Sequence, residues 1–117
     1  MNEQPSRGEI WWVDWSPGRG SEQLGRRPAL VIQTDAANQN PRYGNTIVAA
    51  ISTKGRPLPF HVPVTPTQES GLSRPSWVKC EQILTVSKER LLQRLGALNP
   101  GELARVEQAL RLVLDLD

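Results

Sequence analysis

The residues of this chain best suited to chemistry lie at the ends of two apolar runs. The stretch "RRPALVI" sets Arg26 and Arg27 ahead of Pro28, at the entry of a run that reads as a buried strand. A second run, "TIVAAIST", ends in Ser52 and Thr53. If these strands are antiparallel neighbours, Arg27 and Ser52 meet at the same end of the sheet. A guanidinium held there could bind a phosphate and stabilise the charge that develops during phosphoryl transfer.

Other chemistries have weaker support in the sequence. His61 is the only histidine, which excludes a mechanism based on paired imidazoles, and we expect it to be a structural or surface residue. Cys80 is the only cysteine and is expected to be a small structural residue. Since the chain has no Cys/His cluster and its acidic residues are scattered, we expect neither a metal nor another cofactor. Arg27 could instead pair with Asp14 or Glu22, and that alternative stays open.

Composition limits the class of protein. A length of 117 residues, with 38% hydrophobic and 22% charged residues, predicts one ordinary globular domain spanning residues 1–117. The net charge of +2 and the pI of about 9.1 favour a polyanionic partner only weakly. One cysteine suggests a reducing compartment. The chain shows no signal-peptide core and no run near the roughly 18 apolar residues of a membrane span, so we expect a cytoplasmic protein.

The pattern of apolar residues and turn formers predicts a mainly β protein with late helices. We expect a small, curved antiparallel sheet or barrel, with polar loops after its first and second strands. Ser87 should cap a short helical turn, "KERLL", and "NPGE" from Asn99 should cap a C-terminal helix. In the last strand, Val78, Cys80, Gln82 and Leu84 should share one face. The predicted strands are Gly8–Trp15, Ala29–Thr34, Thr46–Thr53, an edge strand near Phe60–Val64, and Trp77–Val86.

Several motifs resemble those of one toxin family. The stretch "RGEIWWVDWSPGRGSEQLGRRPALVI" is similar to the opening of the MazF/PemK toxin endoribonucleases, which carry G-[DE]-[IV]-W-x-[VA]-[DN], then P-x-x-G-S-E-Q, then R-P-[AV]-[LV]-V. "AAIST" resembles the family's apolar strand ending in threonine, and "SGLSRPSWVKCEQILTVSKERL" resembles a later block. The motifs occur in the family's order and cover nearly the whole chain, which makes the resemblance specific.

The resemblance implies an SH3-like barrel of the MazF/CcdB type with a C-terminal helix. It implies a sequence-specific, metal-independent mRNA interferase, an endoribonuclease in which the ribose 2′-hydroxyl of single-stranded RNA attacks the adjacent phosphorus. The products would be 2′,3′-cyclic phosphate and 5′-hydroxyl ends. The family's catalytic arginine falls on Arg27 and its threonine on Ser52, with Thr53 as the alternative hydroxyl. A homodimer and an antitoxin of MazE type, with an acidic tail, are also implied.

RNA binding needs cations along the backbone and amides or flat rings for the bases. Two functions from other classes remain open: a CcdB-like toxin that binds DNA gyrase without catalysis, and an RNA-binding module that leaves RNA whole. Arg27 with Ser52 is the feature that separates them from the nuclease. The RNA-binding candidates are Arg19, Glu22, Gln23, Arg26, Lys54, Arg56, Trp77, Gln82 and Thr85.

Overall fold

Six antiparallel strands form one curved sheet in the computed structural model, which describes residues 4–15 and 25–117. The spatial order is β4-β5-β3-β2-β1-β6, so β4 is an edge strand, as its prolines predicted. This architecture confirms the predicted mainly β fold with a C-terminal helix. The elements are β1 Glu9–Asp14, β2 Arg26–Val31, α1 Asp35–Asn38, β3 Asn45–Ser52, β4 His61–Val64, β5 Ser76–Ser87, a 3₁₀ turn Lys88–Arg90, β6 Leu91–Ala97 and α2 Pro100–Leu114.

The sheet buries apolar side chains on both faces, because successive residues of a strand point in opposite directions. One face, which packs against α2, contains a core that includes Ile10, Leu30 and Val106. The opposite face carries a second, smaller core. Its buried members are Trp11, Val13, Ala29, Val31, Val48 and Val86.

A bulge in β5 changes which of its side chains share a face. Ala50 pairs with Lys79, whereas the preceding Ala49 pairs with Ile83, so three residues of β5 are looped out of this ladder. Paired residues of antiparallel strands project to the same side. Lys79 therefore shares a face with Leu84, and the prediction that Leu84 lies with Val78 and Cys80 was wrong.

The segment after β5 departs from the predicted helical turn. Ser87 does cap a turn, accepting a hydrogen bond from the Glu89 amide at 3.2 Å, but that turn spans only Lys88–Arg90. The chain then forms β6, which pairs with β1 and was not predicted. The short helix α1 also lies in a stretch expected to be loop.

The C-terminal helix α2 begins at the predicted cap. Asn99 Oδ1 accepts from the Glu102 amide at 2.7 Å, and Glu102 Oε1 accepts from the Asn99 amide at 3.4 Å. Val106 and Ala109 bury one side of the helix against the sheet. Within residues 4–15 and 25–117, no helix has the length and apolar character needed to cross a membrane.

Candidate active site

The register of the central strands brings Arg27 and Ser52 together. In the β2–β3 ladder Ala29 pairs with Ala50, and the same antiparallel register continued by two residues sets Arg27 opposite Ser52. Both side chains then lie on the face of the second core. The proximity expected from antiparallel strand ends is therefore present.

Two grooves meet at this pair. The first groove, of about 240 Å³, is lined by Arg27 and Ser52 together with Lys79, Gln82 and Trp15. The second groove, of about 540 Å³, is also lined by Arg27 and Ser52. Its other lining residues are Trp12, Arg26, Pro28, Ile51, Thr53, Gly71, Leu72, Ser73, Arg74, Ser76 and Leu95. A linear ligand passing from one groove to the other would cross Arg27 and Ser52.

The polar groups of the pair are available to a ligand. Among the described residues, the half-buried guanidinium of Arg27 has no hydrogen-bond or salt-bridge partner, so the alternative pairing with Asp14 is not formed. Ser52 Oγ accepts a hydrogen bond from the Lys54 amide at 3.0 Å. This bond orients the hydroxyl and leaves its hydrogen to donate to another group.

Ser52 and Thr53 differ in position. Ser52 is half-buried, ends β3 and lines both grooves. Thr53 is exposed, lies one residue beyond the strand and lines only the second groove, together with Arg26. Of the two hydroxyls, Ser52 is therefore the one that shares both grooves with Arg27.

The remaining predicted RNA-binding residues divide between the grooves and their surroundings. Gln82 lines the first groove and Arg26 the second. Neither groove is lined by the exposed residues Lys54, Arg56 and Thr85. Arg19, Glu22 and Gln23 lie in residues 16–24, outside the described residues.

Trp77 is placed beside the pair but is covered. It pairs with Ser52 in the β3–β5 ladder, yet it lines neither groove. The backbone of Gly55 lies against its indole, since a methyl group on Gly55 would come within 2.1 Å of Trp77 Cγ. The ring centroid of His61 is 6.4 Å from that of Trp77. One face of this indole is thus occupied by protein.

Two cationic residues of the grooves were not predicted. Lys79 lines the first groove and Arg74 the second. The alternation of β5 before its bulge, which sets Lys79 on the side opposite buried Val78, could have indicated the lysine. Arg74 lies in an irregular segment, "SRPS", whose position depends on tertiary structure.

His61 and its neighbours form a structural cluster. The buried imidazole accepts from the Arg56 amide through Nδ1 at 3.2 Å and donates through Nε2 to Glu81 Oε2 at 2.8 Å. Partial burial acts to raise the pKa of Glu81, but the hydrogen bond from His61, with a backbone hydrogen bond and the nearby charge of Lys79, holds that pKa below its ordinary value. Within the described ranges, no group of His, Cys, Asp and Glu side chains is arranged to hold a metal.

Cys80 behaves as a core residue. It is fully buried in the core that faces α2. Burial, with a smaller contribution from the Glu81 carboxylate, raises the pKa of the Cys80 thiol to about 11. A thiol in this state is a poor nucleophile at neutral pH.

These features define a small β-sheet protein whose two grooves carry arginine and lysine side chains around a serine hydroxyl. Residues 6–114 match the model of a family described as PemK-like, MazF-like toxin of type II toxin-antitoxin system. The chain therefore belongs to this toxin family.

Two endoribonucleases and one solved structure resemble this chain over almost its whole length. Endoribonuclease MazF9 of Mycobacterium tuberculosis (strain ATCC 25618 / H37Rv) is 41% identical over 114 residues, which cover 94% of this chain and 96% of that protein. Endoribonuclease EndoA of Bacillus subtilis (strain 168) is 40% identical over 113 residues, covering 94% of each. The crystal structure of MazE-MazF (Form-II) from Deinococcus radiodurans superposes with a TM-score of 0.80 at 26% identity, covering 99% of this chain and 100% of that one.

Proposed function

We propose that this protein is an endoribonuclease toxin that cuts single-stranded mRNA at the Arg27–Ser52 pair. Relatives named as endoribonucleases, at 41% and 40% identity, support the activity. The observation that carries the proposal is the guanidinium of Arg27, which has no partner within residues 4–15 and 25–117 and lies opposite Ser52 where two grooves meet. A sheet end holds both groups rigidly, as electrostatic catalysis requires.

The proposed reaction is transesterification within the RNA. The ribose 2′-oxygen forms a bond to the adjacent phosphorus while the bond from phosphorus to the 5′-oxygen breaks, which leaves a 2′,3′-cyclic phosphate and a 5′-hydroxyl. The proton of the 2′-hydroxyl leaves as the 5′-oxygen gains one. Arg27 stabilises the negative charge on the phosphorane-like transition state, and Ser52 donates its hydroxyl hydrogen to a phosphate oxygen.

The two grooves supply a path for the strand. In the first groove, Lys79 neutralises a phosphate and the Gln82 amide can hydrogen-bond to a base edge. In the second groove, Arg26 and Arg74 bind backbone phosphates. The scissile phosphate then lies where the grooves join.

The partners proposed are a second copy of the chain and an antitoxin. The similar MazE-MazF structure from Deinococcus radiodurans supports an antitoxin of MazE type. An acidic segment of such an antitoxin would compete with RNA for the same arginines and lysine. Because mRNA is the substrate, the cytoplasm is the proposed compartment.

Cleavage of a long unstructured RNA in EDTA tests the function. We expect discrete cuts, mapped by primer extension, whose fragments carry cyclic phosphate and 5′-hydroxyl ends. Cuts that need a divalent cation, or ends with 5′-phosphate, would contradict the mechanism. RNA that is bound but left whole would support the non-catalytic module, and inhibition of DNA gyrase with uncut RNA would support the CcdB-like alternative.

The path through the grooves has its own test. Lys79→Ala and Arg74→Ala should each weaken RNA binding, and each should reduce the slope of log affinity against log salt by about 0.7, the value for one phosphate contact in a single strand. Arg42→Ala, at an exposed arginine that lines neither groove, is the matched control for loss of one positive charge. Equal slopes in all three variants would refute this path.

A further inference from the structure

The segment that follows Ser52 is fixed at three points. The Lys54 amide donates to Ser52 Oγ at 3.0 Å, which ties the segment to the hydroxyl itself. The backbone of Gly55 packs against the indole of Trp77, the cross-strand partner of Ser52. The Arg56 amide donates to His61 Nδ1 at 3.2 Å. Residues 53–56 are otherwise exposed or half-buried, so these contacts determine their path.

His61 can serve as an acceptor only in its neutral form. The Arg56 amide carries a hydrogen, so Nδ1 must present a lone pair, and the ring proton resides on Nε2, which donates to Glu81 Oε2 at 2.8 Å. A second proton on the ring would bind to Nδ1, so that an N–H of His61 would point at the N–H of Arg56. That arrangement has no acceptor and breaks the bond.

We propose that His61 is a positioning residue, which holds residues 53–56 and through them the Ser52 hydroxyl in the active geometry, and which releases them when its imidazole is protonated. The inference rests on the proposed function, because it concerns the hydroxyl assigned to RNA cleavage. His61 lines neither of the two grooves. Its influence on cleavage therefore passes through the backbone of residues 53–56.

Charged groups on three sides set the proton affinity of this ring. Glu81, on β5, favours the imidazolium, since its own pKa is lowered and its carboxylate accepts from Nε2 at 2.8 Å. Lys79 is the cross-strand partner of His61, and Arg105 of α2 lines a groove with it; both oppose protonation. Lys54 and Arg56, on the segment itself, are exposed cations that also oppose it.

Two isosteric variants separate the two ring nitrogens. In His61→Asn the amide oxygen can replace Nδ1 as acceptor for the Arg56 amide, whereas in His61→Gln the longer side chain replaces Nε2 and reaches Glu81 instead. We expect His61→Asn to retain kcat for RNA cleavage within about threefold. In His61→Gln we expect kcat to fall about ten- to a hundredfold with little change in KM, since a misplacement of about 1 Å in the active site commonly lowers the rate by that much.

The pH dependence of kcat distinguishes this positioning role from a purely structural role. Wild-type kcat should fall on acidification as the bond from the Arg56 amide to Nδ1 is lost, and His61→Asn should lack that acidic limb. Glu81→Gln keeps an oxygen acceptor but removes the neighbouring negative charge, so its acidic limb should move to lower pH. Equal kcat values for His61→Asn and His61→Gln, or an unchanged limb in His61→Asn, would overturn the proposal.

A measurement without RNA keeps this inference separate from the function. The protection factor of the Arg56 amide, measured by ¹⁵N-resolved hydrogen exchange and corrected for the intrinsic exchange rate at each pH, should fall as wild type is acidified, and it should stay unchanged in His61→Asn. If wild type cuts RNA, Arg27→Ala does not, and the protection factor of the Arg56 amide is the same at every pH, this inference fails while the proposed function stands. If wild type never cuts RNA, the proposed function fails independently of the amide result.

Discussion

Gly55→Ala should disable RNA cleavage by displacing the segment that follows Ser52. A Cβ at residue 55 would lie 2.1 Å from Trp77 Cγ, whereas ordinary van der Waals contact begins near 3.4 Å, so ring and backbone must separate by about 1.3 Å. The indole cannot retreat freely, because Trp77 is half-buried beside His61. If the Lys54 amide carries a displacement of about 1 Å to the Ser52 hydroxyl, kcat should fall by about 100-fold. Such overpacking also lowers the free energy of unfolding by roughly 1–3 kcal/mol.

The assay is single-turnover cleavage of a short RNA that contains one mapped site, at a temperature well below the unfolding midpoint of the variant. Gly44→Ala is the matched control, since a Cβ there meets nothing within 4 Å, and it should cut at the wild-type rate. Wild-type cleavage by Gly55→Ala would refute the argument that residues 53–56 position the Ser52 hydroxyl.

Three further predictions test the site and the core. Ser52→Ala should slow RNA cleavage by about tenfold or more, whereas Thr53→Ala should cut nearly as fast as wild type. Ser52→Thr should retain cleavage, because threonine keeps the hydroxyl on a stiffer side chain. A larger loss of rate in Thr53→Ala than in Ser52→Ala would reverse the assignment. Asn38→Ala should lower the free energy of unfolding in urea by about 2–4 kcal/mol, since the buried amide makes four hydrogen bonds of 2.8–3.1 Å. Burial and the Glu81 carboxylate raise the pKa of the Cys80 thiol to about 11. Cys80 should therefore resist iodoacetamide at pH 8 in the native protein and react with it in denaturant. Fast labelling of the native protein would contradict the burial of this thiol.

The pairing of Arg27 with Ser52 could be predicted because both positions follow from local rules. A proline-led apolar run and a run that turns polar mark where two buried strands begin and end, and their antiparallel pairing brings those ends together. The five strands predicted from such runs are present, and the predicted cap of the C-terminal helix is confirmed.

What the sequence could not predict depends on contacts between distant residues. "LLQRLGA" has no clear strand period, and it becomes β6 because it pairs with β1 at the edge of the sheet. The bulge of β5 appears only in its ladder with β3, so the faces of Leu84 and Ile83 were exchanged in the prediction. Lys79 was missed as a groove residue because its neighbours in the groove, Arg27 and Ser52, come from strands distant in the sequence.

The most direct test of the central claim is the single-turnover rate at which Arg27→Ala and Arg27→Lys cut a mapped RNA in EDTA. We expect Arg27→Ala to be slower by about 100- to 1,000-fold and Arg27→Lys to recover only part of the loss, because an ammonium lacks the planar fork. Thermal stability should hardly change, since this guanidinium has no partner among the described residues. Cleavage by Arg27→Ala at the wild-type rate and at the same sites would contradict the assignment of the active site.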